Sequence, residues 1–107
     1  MNANDEARAL TFLGLCMRAG KLVSGQDACV TAIRGGAAAI ALLDEDASSN
    51  TRKRMMDACH HYSVPLYQVS RDALGRAIGK SGRMAAILPP GGMAQKMLDL
   101  FGEQPQL

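Results

Sequence analysis

The sequence predicts an α/β fold, a three-layer α/β/α sandwich. Segments with apolar residues at helical spacing alternate with short apolar runs along the whole chain, the pattern of helices packed on both faces of a sheet. One run, residues 38–43, is continuously apolar between glycines and acids, as expected for a strand covered on both sides. The 107 residues are 48% hydrophobic and 21% charged, a globular balance that suits one domain over residues 1–107. Its core should run over about residues 5–102. Trp is absent and aromatics make up only 4%, so the core must be aliphatic, with Met and Ala filling gaps.

From Asp5 to Arg18 the residues Ala9, Phe12, Leu13, Cys16 and Met17 recur on one helical face, with Asn4 placed to cap and Gly20 to terminate. Lys21-Leu22-Val23 reads as a short extended piece. A second helix then starts with Ser24 as N-cap and Asp27 in the capping-box position, and stops at Gly35-Gly36. The apolar run at 38–43 is the central strand. After Asp44-Glu45-Asp46, Ser48 to Asn50 can cap a third helix lined by Met55, Met56, Cys59 and Tyr62. Pro65 closes that helix and opens the strand Leu66 to Val69. Ser70 and Asp72 begin a short fourth helix through Ala77, a glycine-rich loop leads to a strand from Met84 to Leu88, and Pro89-Pro90-Gly91-Gly92 precedes a last helix with Met93, Met97, Leu98 and Phe101 on one stripe.

A formal net charge of +2 is too small to argue for nucleic-acid binding, so local placement of cations must decide it. Cys16, Cys29 and Cys59 are widely spaced within apolar periodic segments, which suits buried thiols in a reducing compartment and no disulfide. Neither a signal sequence nor an apolar run long enough to span a bilayer is evident, so a cytoplasmic protein without a membrane partner is expected.

The richest stretch for function is Leu74 to Arg83, where an apolar half-helix breaks into glycines, a lysine and an arginine. Glycines at 79 and 82 let backbone approach a ligand while Lys80 and Arg83 pair with phosphates. The stretch resembles a nucleotide-binding P-loop, but three residues rather than four separate its glycines and it follows a helix rather than a first strand. Cys59-His60-His61 carries metal-ligating side chains, yet neighbours on a helix point apart, so no metal is expected. Asp44-Glu45-Asp46 reads as a solvated turn, and Arg52-Lys53-Arg54 as a solvated helix face.

Taken in order, Ala19-Gly20-Lys21, Ser24-Gly25, Ala32-Ile33-Arg34-Gly35-Gly36, Leu42-Leu43-Asp44-Glu45-Asp46-Ala47, Val64-Pro65 and Leu74-Gly75-Arg76-Ala77-Ile78-Gly79-Lys80 resemble the ribosomal protein family that includes L-seven-Ae and L-thirty-e, in its bacterial YlxQ branch. The match runs from about Leu10 to Phe101. The resemblance implies a sandwich around a small mixed sheet, no enzymatic activity and no cofactor. It implies binding of kink-turn RNA, a duplex bent at a bulge followed by sheared G·A pairs. The second helix N-terminus would enter the groove and a hydrophobic-glycine loop would receive unstacked nucleotides. Carried onto this chain, the implied contacts are Lys21, Gly25, Gln26, Asp27, Thr31, Ile78, Gly79, Lys80 and Arg83. The implied partner is structured RNA, ribosomal RNA included, in a ribosome or other ribonucleoprotein, with no DNA and with the protein monomeric.

One run departs from the family pattern. Where Gly-x-Asn-Glu is typical, this chain has Gly25-Gln26-Asp27-Ala28, and an aspartate cannot donate as an asparagine amide does. The alternative reading is therefore a protein-interaction module on the same fold, with a degraded RNA surface. A small hydrolase using the acidic loop, or an NTPase using the glycine loop, stands third.

Overall fold

The computed structural model describes residues 3–102 and 104–107. Its elements run α1 (Ala3–Arg18), β1 (Val23–Ser24), α2 (Gln26–Arg34), β2 (Ile40–Asp44), α3 (Ser49–His61), β3 (Leu66–Val69), α4 (Ala73–Ile78), β4 (Ala85–Leu88) and α5 (Gly92–Phe101). The four strands form one mixed sheet in the order β1-β4-β2-β3. β4 is antiparallel to both β1 and β2, whereas β2 and β3 are parallel.

Every residue of β2 and β4 is buried, as the continuous apolar runs require. Strand alternation deals their side chains to two cores. Ile40, Leu42, Ala86 and Leu88 face α1, α4 and α5, while Ala41, Leu43, Ala85 and Ile87 face α2 and α3. Helices thus cover both faces of the sheet in three layers. In the first core Tyr67 stacks on Phe101 at 4.7 Å between ring centroids.

The helix starts differ from the sequence expectation in instructive ways. Ser48 does cap α3, its Oγ accepting the Thr51 N–H at 3.1 Å. Ser24 does not cap α2, because it is paired with Ala86 in the sheet; the cap position belongs to Gly25. Asn4 lies inside α1 rather than before it. Ser70 gives its N–H and hydroxyl to the Glu6 carboxylate at 2.6 and 2.7 Å, tying α1 to the turn before α4, and the α4 cap position falls to Asp72 at φ 61° with no side-chain hydrogen bond. Tyr62 stands at the α3 C-cap and is exposed instead of joining the buried stripe. Beyond α5 the chain returns to the outer strand, where Leu107 donates its N–H to the Leu66 carbonyl at 2.8 Å.

Candidate nucleic-acid interface

At one end of the molecule four features converge: the start of α2, the start of α3, the end of β2 and the loop from Gly79 to Met84. Gly25 fixes α2 there by donating its N–H to the Ala85 carbonyl at 3.0 Å. The first helical bond runs from the Cys29 N–H to the Gly25 carbonyl at 2.9 Å, so the N–H groups of Gln26, Asp27 and Ala28 precede the helical ladder. Gly25 has φ 96° and offers no side chain to cap them. This leaves backbone donors and the positive end of the helix dipole at the surface.

The loop lies directly beside them. A β-carbon on Gly25 would stand 2.6 Å from Arg83 Nη1, so the guanidinium is laid across that glycine. Backbone contacts shape the loop itself. The Lys80 N–H bonds to the Gly75 carbonyl at 2.9 Å, and a β-carbon at Gly75 would come within 2.8 Å of the Lys80 carbonyl oxygen. Gly75 therefore lets the loop fold back onto α4, and Gly79 ends that helix in the left-handed conformation. A depression of about 420 Å³ opens between α4 and the loop, walled by Gly75, Gly79, Gly82 and Met84 with Arg76 and Asp72.

Among the residues expected to form the site, Gly25, Gln26, Asp27 and Arg83 come together at this end, Arg83 half-buried; Gly79 and the exposed Lys80 lie in the same loop as Arg83, folded back on α4. Thr31 is exposed one turn farther along α2. Lys21 is set apart: it precedes β1, its N–H bonds to the Cys16 carbonyl, and Val23 pairs with Ile87, away from the Gly25 end of the ribbon. Ile78 is only 6% exposed, its side chain packed in the core with Leu74 and Leu13. It therefore anchors the start of the loop from beneath.

Two residues that the sequence did not single out individually shape the same end. The Thr51 hydroxyl donates to Gln26 Oε1, and Arg54 Nη1 lies 2.9 Å from Asp27 Oδ1, fastening α3 to the first turn of α2. The capping-box role expected of Asp27 is replaced by this ion pair. No sequence spacing connects residues so far apart. The acidic turn also differs from expectation, since Asp44 is fully buried. Its Oδ1 accepts the Asp46 N–H at 2.8 Å, while Glu45 and Asp46 are exposed. Arg71 reaches across this turn, its N–H to Glu45 Oε1 at 3.0 Å and its Nη2 3.5 Å from Asp46.

Beneath α2, the free thiols of Cys29 and Cys59 are buried in the second core. Burial pushes Cys29 up to about 12, with the neighbouring Cys59 adding to the rise and Arg83 opposing it; burial pushes Cys59 up to about 11. Both are inert as nucleophiles at neutral pH. Among the described residues no group of three or more His, Cys, Asp and Glu side chains is placed to hold a metal ion, and no helix is long and apolar enough to cross a membrane.

Residues 8–95 match the family model described as Ribosomal protein L7Ae/L30e/S12e/Gadd45. The chain is 47% identical over 91 residues to RNA-binding protein YlxQ of Bacillus subtilis (strain 168), covering 84% of this chain and 91% of that one. It is 35% identical over 102 residues to RNA-binding protein YlxQ of Enterococcus faecium, covering 94% and 98%. Among solved structures, a protein of unknown function from Bacillus halodurans superposes with a TM-score of 0.81 at 36% identity, over 88% of this chain and 96% of that one. The Giardia lamblia 15.5kD RNA binding protein shares the fold, with a TM-score of 0.75 at 19% identity over 94% and 92% of the two chains. The family is non-enzymatic, which removes the hydrolase and NTPase readings. Sequence match and fold agree: this chain belongs to the Ribosomal protein L7Ae/L30e/S12e/Gadd45 family, in which its similarity to the YlxQ proteins is extensive.

Proposed function

We propose that this protein binds structured RNA, of kink-turn type, at the end where α2 meets the loop from Gly79 to Arg83. The observation that carries this reading is the placement of Arg83 across Gly25, which makes one surface of a helix N-terminus and a cationic, glycine-rich loop. Helix donors supply hydrogen bonds to phosphate or base edges, and Lys80 and Arg83 supply charge. The depression beside the loop has room for a nucleotide displaced from its stack, the state in which RNA bases are most readily read. Two relatives carry the name RNA-binding protein, and the Giardia fold neighbour is an RNA-binding protein, which supports the same class of ligand. Ribosomal RNA is the first partner to examine. Lys21, apart from this end, would assist only where the RNA extends along β1.

The test is titration of the Lys80→Ala/Arg83→Ala double variant with kink-turn RNA, simple duplex and ribosomal RNA fragments over a range of salt. Loss of two phosphate contacts should weaken binding and lower the slope of log affinity against log salt by roughly 0.7–0.9 per contact. An unchanged affinity and slope would remove the loop from the interface. Equal, weak, salt-erased binding of all three RNAs by the wild type would favour the protein-interaction module instead.

A further inference from the structure

We propose that Arg54 is a direct RNA contact, held against the start of α2 by Asp27; this rests on the RNA-binding reading above. Three consecutive cations open α3, and the fold gives them three different fates. Lys53 turns along its own helix to Asp57 at 2.8 Å, and Arg52 reaches back to the Glu45 carbonyl at 3.3 Å. Arg54 alone crosses to α2, where its Nη1 meets Asp27 Oδ1 at 2.9 Å. The helix that carries it is fixed there independently, because Ser48 caps α3 through Thr51 and the Thr51 hydroxyl bonds to Gln26.

The pair has two electrostatic consequences. Asp27 is 90% exposed, and its carboxylate stands in the first turn of α2, where it would repel an approaching phosphate. Arg54 cancels that charge at its source. A guanidinium also has five N–H donors in a rigid fork, and one bond to a carboxylate leaves other donors for a second acceptor. The Arg54 side chain keeps 39% of its surface exposed, so it stays within reach of a ligand in solvent. The carboxylate thereby works as a positioning residue: it removes rotamer freedom from a long side chain before the ligand arrives, lowering the entropic cost of the contact. An exposed pair adds little to folding, so orientation of the cation is its main effect.

The pinned guanidinium also extends the row of hydrogen-bond donors. Arg83 approaches the start of α2 from the loop side, and Arg54 approaches it from the α3 side. An RNA backbone seated on the first N–H groups of α2 would thus meet guanidinium donors on each flank. Lys53, directed to Asp57 on the outer side of α3, lies outside that arrangement and serves as an internal control.

The test uses the full chain and a fluorescein-labelled RNA hairpin whose asymmetric internal loop is followed by tandem G·A pairs, read by anisotropy over a salt series. Arg54→Ala should weaken binding about tenfold and lower the salt slope by roughly one contact, with Arg54→Lys intermediate because an ammonium lacks the fork. Lys53→Ala should bind as wild type. In an Asp27→Ala background the slope change from Arg54→Ala should persist. If instead the Arg54→Ala effect vanishes in that background, Arg54 only neutralises Asp27 and the proposal is overturned. Wild-type binding by Arg54→Ala, alongside weak binding by Lys80→Ala/Arg83→Ala, overturns the role of Arg54 and leaves the docking end intact. Wild-type binding by both overturns the RNA reading of this end altogether. Thermal melts of each variant separate lost contacts from lost fold.

Discussion

The Arg83 guanidinium lies across the α-carbon of Gly25, with Nη1 2.6 Å from the place a β-carbon would take. That contact joins two segments almost sixty residues apart in sequence. It also makes Gly25 doubly sensitive, since its φ of 96° lies where side chains are strained even in open space. Gly25→Ala should lower stability by about 1–3 kcal/mol in urea denaturation, from strain and displacement of Arg83 together. Adding Arg83→Ala should recover only the part due to the clash. A double variant as stable as wild type would show that the backbone conformation carries no strain.

Ile78 has a structural consequence separable from binding. Its buried side chain packs with Leu74 in the first core, so Ile78→Ala should cost about 2–4 kcal/mol through the cavity it leaves. Below the melting temperature, the folded fraction should still bind RNA with near wild-type salt slope. A slope lowered as in the Lys80 and Arg83 variants would place this position at the interface after all.

The two thiols beneath α2 predict an alkaline limit to stability. Each has an ordinary value of 9.0, raised in the fold to about 12 for Cys29 and about 11 for Cys59. The unfolded chain therefore loses thiol protons first, and the contribution to stability, complete below pH 9, is lost as pH rises through 11 and toward 12. Urea midpoints should fall over that window, and the fall should be smaller in Cys29→Ala once its lower starting stability is subtracted. Native Cys29 and Cys59 should resist iodoacetamide at pH 8, with labelling appearing on addition of denaturant.

Glu6 holds both the N–H and the hydroxyl of Ser70, at 2.6 and 2.7 Å, so α1 governs the turn that launches α4. Glu6→Gln, which keeps an acceptor, should cost less than Glu6→Ala, for which a loss of about 1 kcal/mol is expected at this partly exposed site. Amide exchange at Ser70 should quicken in the alanine variant. Unchanged exchange there would mean that the turn holds itself.

The order of the elements, the doubly covered central strand and the cap at Ser48 were legible because each rests on local pattern: apolar runs, helical spacing and a serine three residues before Thr51. Ser24 shows where local pattern fails. Its spacing to Asp27 imitates a capping box, but pairing with Ala86 takes it into the sheet and passes the cap to Gly25. Ile78 shares a helical face with Leu74, a spacing that already speaks for burial, whatever the glycines after it do at the surface. Asp44 reads as one acid in a polar turn, and only the β2 register buries it. The meeting of Asp27 with Arg54 has no signature in the chain at all, because it depends on how two helices lie across the same face of the sheet.

The sheet's outer borders are guarded by unequal means. β1 is two residues long, too brief to template another strand, whereas β3 offers a longer margin and has Leu107 hydrogen-bonded to Leu66 along it. His60 on α3 lies 2.9 Å from the Leu107 oxygen, clasping that final turn of chain from the neighbouring layer. Clipping the last four residues would therefore bare a hydrogen-bonding border, and slow self-association should follow even where the RNA-facing end stays intact.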